Sequence, residues 1–527
     1  MTVDVQQIDL ATLGRSGPEL PRKAARVLLR LGGIPIGQVH LPPSAREPHR
    51  GILAGTITSA HAERALRMAM ARWITRAPDL DGFQLDDALD GVCEDAISQT
   101  RPPFNATDPT ITVAICSRDR PVPLTRAIEA LLPHLGIRDE LLVVLNAPSD
   151  SAWAIDARRF PSVRVVHELR PGLGWARNRA LHEFRSEILL FTDDDCVPDA
   201  RWVDAHRALF ARNPDVDVAT GLVEPLSLST PAQQLFEDYG GFPRNYDRRW
   251  ISAPRRPAVA DIIGNVGEFG AGANLAIRRQ LIERIGPFDA ALGPGTESGA
   301  GDDVEFLFRA LKLGSLLAIE PRAAVQHEHR RDIAELEAQI EGWSRGFSCA
   351  SARSGLAFPE ERTALTVLRA RIAFLHHARR AVLHPRFRRL ALAELRGMRA
   401  AAKHYARARE TARDLAGRES SPASDAPPVR SHAPSRNDAT ARAVVAIDDL
   451  RGPLRLGRDT AFAACDIRIR GQSHVLTVPV VNGTVGADRL QDAVIPALGH
   501  AIIGREWREA IQHTHDYLRR LAARRNS

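Results

Sequence analysis

Three adjacent carboxylates, Asp193, Asp194 and Asp195, directly follow the apolar run Glu187-Ile-Leu-Leu-Phe191. Like charges this close repel one another, and the arrangement is costly unless a cation compensates it; hard divalent cations with phosphate oxygens suit such a set. An acidic loop or a helix cap would use the same residues for less. A second acidic pair, Asp302-Asp303, opens the helical stretch Val304–Leu313, where carboxylates interact favourably with the helix dipole.

These groups need elements to position them. Ile111-Thr-Val-Ala-Ile-Cys116, Glu140-Leu-Leu-Val-Val-Leu145, Val163-Arg-Val-Val166 and Glu187-Ile-Leu-Leu-Phe191 read as buried strands. Leu124 to Leu135 and Ala176 to Phe184 read as helices between them. Strands alternating with helices argue an α/β layer fold with a mostly parallel sheet. Ligands on such sheets sit at the carboxyl ends of the strands, so the loops after Cys116, Leu145 and Phe191 are where chemistry is expected.

Composition narrows the class. The chain has 527 residues, room for about three domains. With 71 Lys and Arg against 64 Asp and Glu the net charge is +7, and Phe, Trp and Tyr make up only 5% of residues; nothing here argues for nucleic acid. The five cysteines are far apart with no CxxC, which excludes a disulfide framework and a cysteine zinc site as organising features. No apolar run approaches the ~18 residues of a membrane helix. Met1 to Leu10 carries Asp4 and Asp9 and no basic region, unlike a signal peptide, so a cytoplasmic location is expected.

The boundaries read as a small α+β module at 1–97, an α/β unit at 110–355, a basic helical extension at 360–415, a disordered linker at 416–442 rich in Ser and Pro, and a second α+β module at 443–527. A further Pro-rich linker covers Ser98–Pro109. The two end modules share an order. Ile8-Asp-Leu10, Val27–Gly33 and Ile36–Leu41 are followed by a helix around His61–Thr75. Ile447–Leu450, Ile467–Gly471 and Val475–Val480 are followed by one around Asp488–Leu498. A duplicated unit and a chance recurrence of a common pattern both fit. In Glu360–Arg413, 14 Lys and Arg oppose four Glu, Leu365, Leu368, Ile372 and Leu375 form an apolar stripe, and Pro385 divides the stretch into two helices. Its basic face is either solvated or in contact with anionic lipid at the inner face of the membrane.

The motifs in sequence are Ala114-Ile-Cys-Ser-Arg-Asp-Arg-Pro121, Arg170-Pro-Gly-Leu-Gly-Trp-Ala-Arg-Asn-Arg-Ala180, Thr192-Asp-Asp-Asp-Cys196, Gly270-Ala-Gly-Ala-Asn274, Gly286-Pro-Phe-Asp289, Gly299-Ala-Gly-Asp-Asp-Val-Glu305 and Val325-Gln-His-Glu-His329. In this order they resemble the family 2 glycosyltransferases, inverting enzymes with the GT-A fold that use nucleoside-diphosphate sugars, over about residues 110–350. The resemblance implies a GT-A type core with a mostly parallel sheet, flanked here by the α+β modules and the helical extension. It implies nucleotide binding by Ser117, Arg118, Asn146, Asp193 and Asp194, with Arg177 and Asn178 reaching the diphosphate or base and Asn274 in the sugar and acceptor pocket. It implies a divalent cation, Mn2+ or Mg2+, on Asp193, Asp195 and His327, with His329 as the rival ligand. It implies a catalytic base in the Asp302-Asp303 pair, Asp303 being the choice. The family's second strand usually ends with Asp before Asn; here Leu145 stands before Asn146, so the nucleobase stays unassigned. The implied partners are a nucleotide-sugar donor and a glycan, lipid-linked or small-molecule acceptor. The alternatives are a sugar nucleotidyltransferase, for which the loop after the first strand lacks glycine, and a non-catalytic glycan- or lipid-binding protein on the same fold.

Overall fold

The protein is described from a computed structural model covering residues 3–13, 24–43, 50–76, 84–97, 107–149, 159–252, 266–358, 364–399, 401–417, 439–445, 450, 452–457, 460–469, 472–481, 483–503 and 507–523. Most of both expected linkers (98–106 and 418–438) and most of the expected strand Ile447–Leu450 lie outside these residues.

The first unit runs β1 Asp4–Asp9, β2 Ala25–Leu31, β3 Ile34–Leu41, α1 Arg50–Thr56, α2 Ser59–Arg76 and α3 Leu85–Ile97. The central unit begins β4 Ile111–Ser117, α4 Pro121–Leu131, β5 Glu140–Asn146, β6 Val163–Glu168, α5 Leu173–Glu183, β7 Ile188–Asp193, β8 Cys196–Pro198, α6 Trp202–Arg212, β9 Val218–Pro225 and α7 Pro231–Tyr239. It continues β10 Arg249–Ser252, β11 Asn274–Arg278, α8 Arg279–Ile285, α9 Asp302–Lys312, β12 Leu316–His327 and α10 Ile333–Ala357. The basic stretch forms α11 Ala364–Leu383, α12 Arg388–Gly397 and α13 Ala401–Gly417. The last unit has β13 Ala439–Val445, β14 Leu454–Arg455, β15 Thr460–Ile469, β16 Gln472–Pro479, β17 Thr484–Val485, α14 Ala487–Ile503 and α15 Trp507–Ala523.

The central sheet has the order β10-β12-β9-β11-β7-β4-β5-β6, with β8 added on β12. β4 pairs in parallel with both β5 and β7, and β11 enters antiparallel between β7 and β9. The chain passes from β4 outward through β5 and β6 and returns to the other side of β4 as β7. That reversal opens a crevice beyond the carboxyl ends of β4 and β7. The strands are buried on both faces. Val113, Ile115, Leu141, Val143 and Leu190 face one core, and Ala114, Leu142, Val144, Leu189 and Phe191 the other. Period-two alternation with both sides apolar is why these segments read as continuous hydrophobic runs.

The basic stretch departs from the two-helix expectation. Pro385 does end a helix, but a second break follows Gly397, giving three. A Cβ at Gly397 would lie 2.4 Å from the Glu341 carbonyl oxygen, so glycine lets the last turn of α12 lie directly against α10. Residues 439–442, expected in the linker, belong to β13.

The terminal units do not pack separately. Ile8, Leu29, Leu66 and Leu89 of the first share one core with Cys465, Leu490, Leu518 and Leu521 of the last. The Tyr517 hydroxyl donates to Asp90 at 2.5 Å, and His515 Nε2 meets the Ile57 carbonyl at 2.9 Å. Each unit carries a three-stranded sheet in which the first strand pairs in parallel with the second and the second antiparallel with the third. Leu518→Ala should therefore cost about 2–5 kcal/mol in urea unfolding. It should also speed protease cleavage within residues 1–97, and an unchanged cleavage rate there would mean that the two units hold separately.

Candidate functional site

Loops at the carboxyl ends of β4, β5 and β7 and the amino end of α9 enclose a cavity of about 490 Å³. It gathers Ser117, Arg118, Asn146, Arg177, Asp193, Asp194, Asp195, Asp302, Asp303 and His327. Burial of so much negative charge raises two of the three consecutive aspartates. Burial, opposed by Arg177 and reinforced by Asp195 and Asp194, pushes Asp193 up to about 7. Burial also lifts Asp194 to about 6, although Arg120 binds it and the Ser117 hydroxyl donates to it at 2.6 Å. Burial works the same way at Asp195, but His327 and Arg120 outweigh it and hold that carboxyl below its ordinary value.

The pair at α9 divides its labour. Asp302 is buried and bound to the equally buried Arg177, and desolvation raises its pKa. Asp303 is half-buried, its Oδ2 accepting from the Gly272 amide at 2.7 Å and its Oδ1 from the Val304 amide at 2.8 Å. Arg177 spans the two acidic clusters, 3.8 Å from Asp193 on its other side. A Cβ at Gly272 would stand 2.3 Å from Arg177 Nη2, so glycine is required where the loop closes over the guanidinium. Gly301 caps α9 at φ 93°, and a Cβ there would stand 2.4 Å from the Gly346 carbonyl oxygen of α10, so only glycine fills the position without strain.

Behind Asp195 lies a chain of polar groups. His327 Nε2 is 3.4 Å from Asp195 Oδ1, His327 Nδ1 is 3.0 Å from His329 Nδ1, and His329 Nε2 is 2.8 Å from Glu237 Oε1. Burial lowers His327 to about 4, so its ring is neutral. Glu237 is opposed by burial, yet the hydrogen bond from His329 and the charge of Arg244 hold it down to about 2. The Glu237 carboxylate accepts from His329 Nε2, and the two imidazoles meet through their Nδ1 atoms, so Glu237 fixes the orientation of His329 and, through it, of His327. Arg26 of β2 binds Glu237, so the first unit reaches the far end of this chain.

Two expected residues are corrected. Asn178 lies off the cavity, its amide clamped to the Phe288 backbone at 2.9 and 2.8 Å. Asn274 is wholly buried, its oxygen accepting from Trp202 Nε1 and its amino group donating to the Leu222 and Ala323 carbonyls; no donor or acceptor is left for a sugar. Asn146 lines the cavity, yet its side chain is engaged with the Arg170 carbonyl and the Gly172 amide and shapes the loop. Asp193, Asp195 and His327 share the cavity, but no three His, Cys, Asp or Glu among the described residues form a ready-made ligand cluster. Glu305, beside the acidic pair, is spent on Arg309 at 2.8 Å. The sequence reading passed over Arg120, Arg330, Glu237 and the aromatic wall of Phe242, Trp343 and Phe347. Arg120 had a local signal, standing between the first strand and the helix that starts at Pro121; the others reach the site only through the fold.

Removing Arg177 exposes the cost of this arrangement. Arg177→Met should destabilise the protein by about 3–5 kcal/mol, because Asp302 is left buried and unpaired. Its folded-state pKa, already raised, rises further. A carboxyl that binds protons more tightly folded than unfolded loses stability as pH rises above its unfolded value near 4. The melting-temperature gap to the wild type should accordingly be wider at pH 8 than at pH 5, and a gap independent of pH would remove Asp302 as the partner that matters.

Comparison with known proteins finds likeness in the same part of the chain. The model of the family described as "Glycosyltransferase like family 2" matches residues 109–346. Pre-mycofactocin glycosyltransferase of Mycobacterium tuberculosis is 24% identical over 245 residues, 45% of this chain and 47% of that protein, so the match spans about half the relative's length. Probable N-acetylgalactosaminyltransferase 6 of Caenorhabditis elegans is 26% identical over 168 residues, 31% of this chain and 26% of the relative. Among solved structures, mannosyltransferase PcManGT from Pyrobaculum calidifontis, in complex with GDP-Man and Mn2+, is 17% identical, with 71% of this chain and 89% of that one covered and a TM-score of 0.33. The central part of the chain, residues 109–346, is a glycosyltransferase family 2 domain.

Proposed function

We propose that the protein is an inverting, metal-dependent glycosyltransferase that moves a sugar from a nucleoside-diphosphate sugar to an acceptor hydroxyl, with Asp303 as general base. The observation that carries this reading is the single cavity into which β7 delivers one carboxylate cluster and α9 another, with Arg177 between them. The acceptor oxygen attacks the anomeric carbon, the bond to the diphosphate breaks with its electron pair going to the phosphate oxygen, and the acceptor proton passes to Asp303. Asp303 suits that task better than Asp302, whose charge is committed to Arg177. One displacement with one base inverts the anomeric centre. Arg120, Arg177 and Arg330 supply positive charge where the departing diphosphate gains negative charge.

Asp195 and His327 are the residues that would hold the cation, with Asp193 facing the same cavity. The donor set fits, because an imidazole that burial keeps neutral stands 3.4 Å from a carboxylate held below its ordinary value. Bound there, a divalent ion supplies Lewis-acid charge to the leaving group. Phe242, Trp343 and Phe347 form an apolar wall on which a sugar ring of the donor or acceptor can rest. The acceptor is a glycan, a lipid-linked glycan or a small molecule. The like order and pairing of the two terminal sheets supports reading the end units as copies of one duplicated module.

Asp303→Asn should lower transfer by roughly a hundred- to ten-thousandfold while donor affinity barely changes. If Asp303→Asn transfers at full rate, the base lies elsewhere. His327→Ala should abolish the Mn2+-dependent rise in melting temperature given by a nucleoside diphosphate, without lowering the melting temperature of the protein alone by more than a few degrees. Retained Mn2+ dependence in that variant would remove His327 from the metal site.

A further inference from the structure

Six of the fourteen large apolar side chains exposed among the described residues lie between Ile372 and Leu392. Val382 is 77% exposed, Leu375 65%, Ile372 56% and Leu383 55%. On α11, Ile372, Leu375, Arg379, Val382 and Leu383 fall at i, i+3, i+7, i+10 and i+11, one stripe of the helix. The opposite side is anchored. Ala381 is buried, Arg380 stacks 3.7 Å over the Tyr239 ring, and His377 pairs with Glu394 of α12. In α12 the buried Leu390, Ala391 and Ala393 face inward, and the Glu394 carbonyl accepts from Ser344 of α10 at 2.8 Å. The stripe is therefore held outward by helices that are themselves firmly seated.

The charge around it is one-sided. From Ile372 to Arg399 there are seven arginines and one acid, and that acid, Glu394, is turned inward to Tyr239 and His377. Arg379, Arg388 and Arg399 have no carboxylate partner among the described residues, while Arg386, Arg389 and Arg396 make exposed pairs with Asp238, Glu337 and Glu341, contacts of little worth in water. A protein-binding face would be depleted of charge at its centre. Here arginine is interleaved with the aliphatic stripe, the pattern of a helix lying in a lipid headgroup region.

We propose that the outer face of α11 and α12 docks on an anionic membrane surface, the aliphatic side chains entering the headgroup boundary and the arginines meeting lipid phosphates. No described helix is long and apolar enough to cross a membrane, so the contact is peripheral. The site stays within reach of that surface: α10, on which α12 packs, also lines the catalytic cavity through Gln339, Trp343 and Phe347.

The test is sedimentation of the full chain with vesicles of phosphatidylcholine alone, and with about one third phosphatidylglycerol mixed in. The protein should pellet with the mixed vesicles only, and less as salt is raised, since each Arg near the surface contributes about tenfold or less to binding and screening removes it. Leu375→Glu with Val382→Glu should reduce binding at least about tenfold, as should Arg379→Glu with Arg388→Glu. All four positions are exposed, so the melting temperature should hold. A wild type that ignores anionic vesicles, binds neutral ones equally, or is matched by both variants overturns the proposal. If the variants instead change the molar mass seen by light scattering, the face joins two copies of the chain.

Discussion

Compensation of buried negative charge governs the centre of this molecule. Asp193, Asp194, Asp195, Asp302 and Asp303 share one cavity, and a fold can keep five carboxylates together only by supplying cations and donors in fixed places. Arg177 does most of this. It is buried, bonded to Asp302, close to Asp193, and flanked by the Phe191 and Phe288 rings at 5.8 and 5.5 Å. Those rings keep water away and strengthen the charge interactions. Arg120 serves Asp194 and Asp195 from the other side. What remains uncompensated is concentrated at Asp193, which burial and its acidic neighbours push up to about 7.

The same demand extends outward in shells. Glu237 orients His329, His329 orients His327, and Glu237 is itself held by Arg244 and by Arg26 of the first unit. Glu224 receives Arg244, Tyr246 and Gln38 of β3. The first unit thus supplies positive charge and hydrogen bonds to the outer layer of the site. Arg30 and Arg201 add contacts across the same boundary, to Asp199 and to the Gly32 carbonyl.

The central strands were legible because a sheet covered on both faces demands unbroken apolar runs, and Ile111–Cys116 and Glu187–Phe191 are such runs. The acidic clusters were legible because like charges in sequence are rarely neighbours without a reason. The asparagines misled. An Asn amide looks the same in a sequence whether it meets a ligand or a backbone, and Asn274 and Asn178 both turned out to satisfy carbonyls and amides of the fold. Glu237 and His329 were hidden for the converse reason, since their role depends on pairings between segments far apart in the chain. The second helix break, after Gly397, has no proline to announce it in the sequence.

The shared core of the terminal units sets the order in which the molecule can be completed. During synthesis the apolar faces of β2, β3 and α2 emerge long before the side chains that cover them, such as Leu490, Leu518 and Leu521. At a ribosomal rate of about 5–20 residues per second, this leaves a wait of tens of seconds. The central sheet can form in that interval, and Glu237 and Asp199 then offer the first unit a polar surface to rest on. The growing chain carries a sticky, half-covered first unit until the last one is made, a situation that favours chaperone capture.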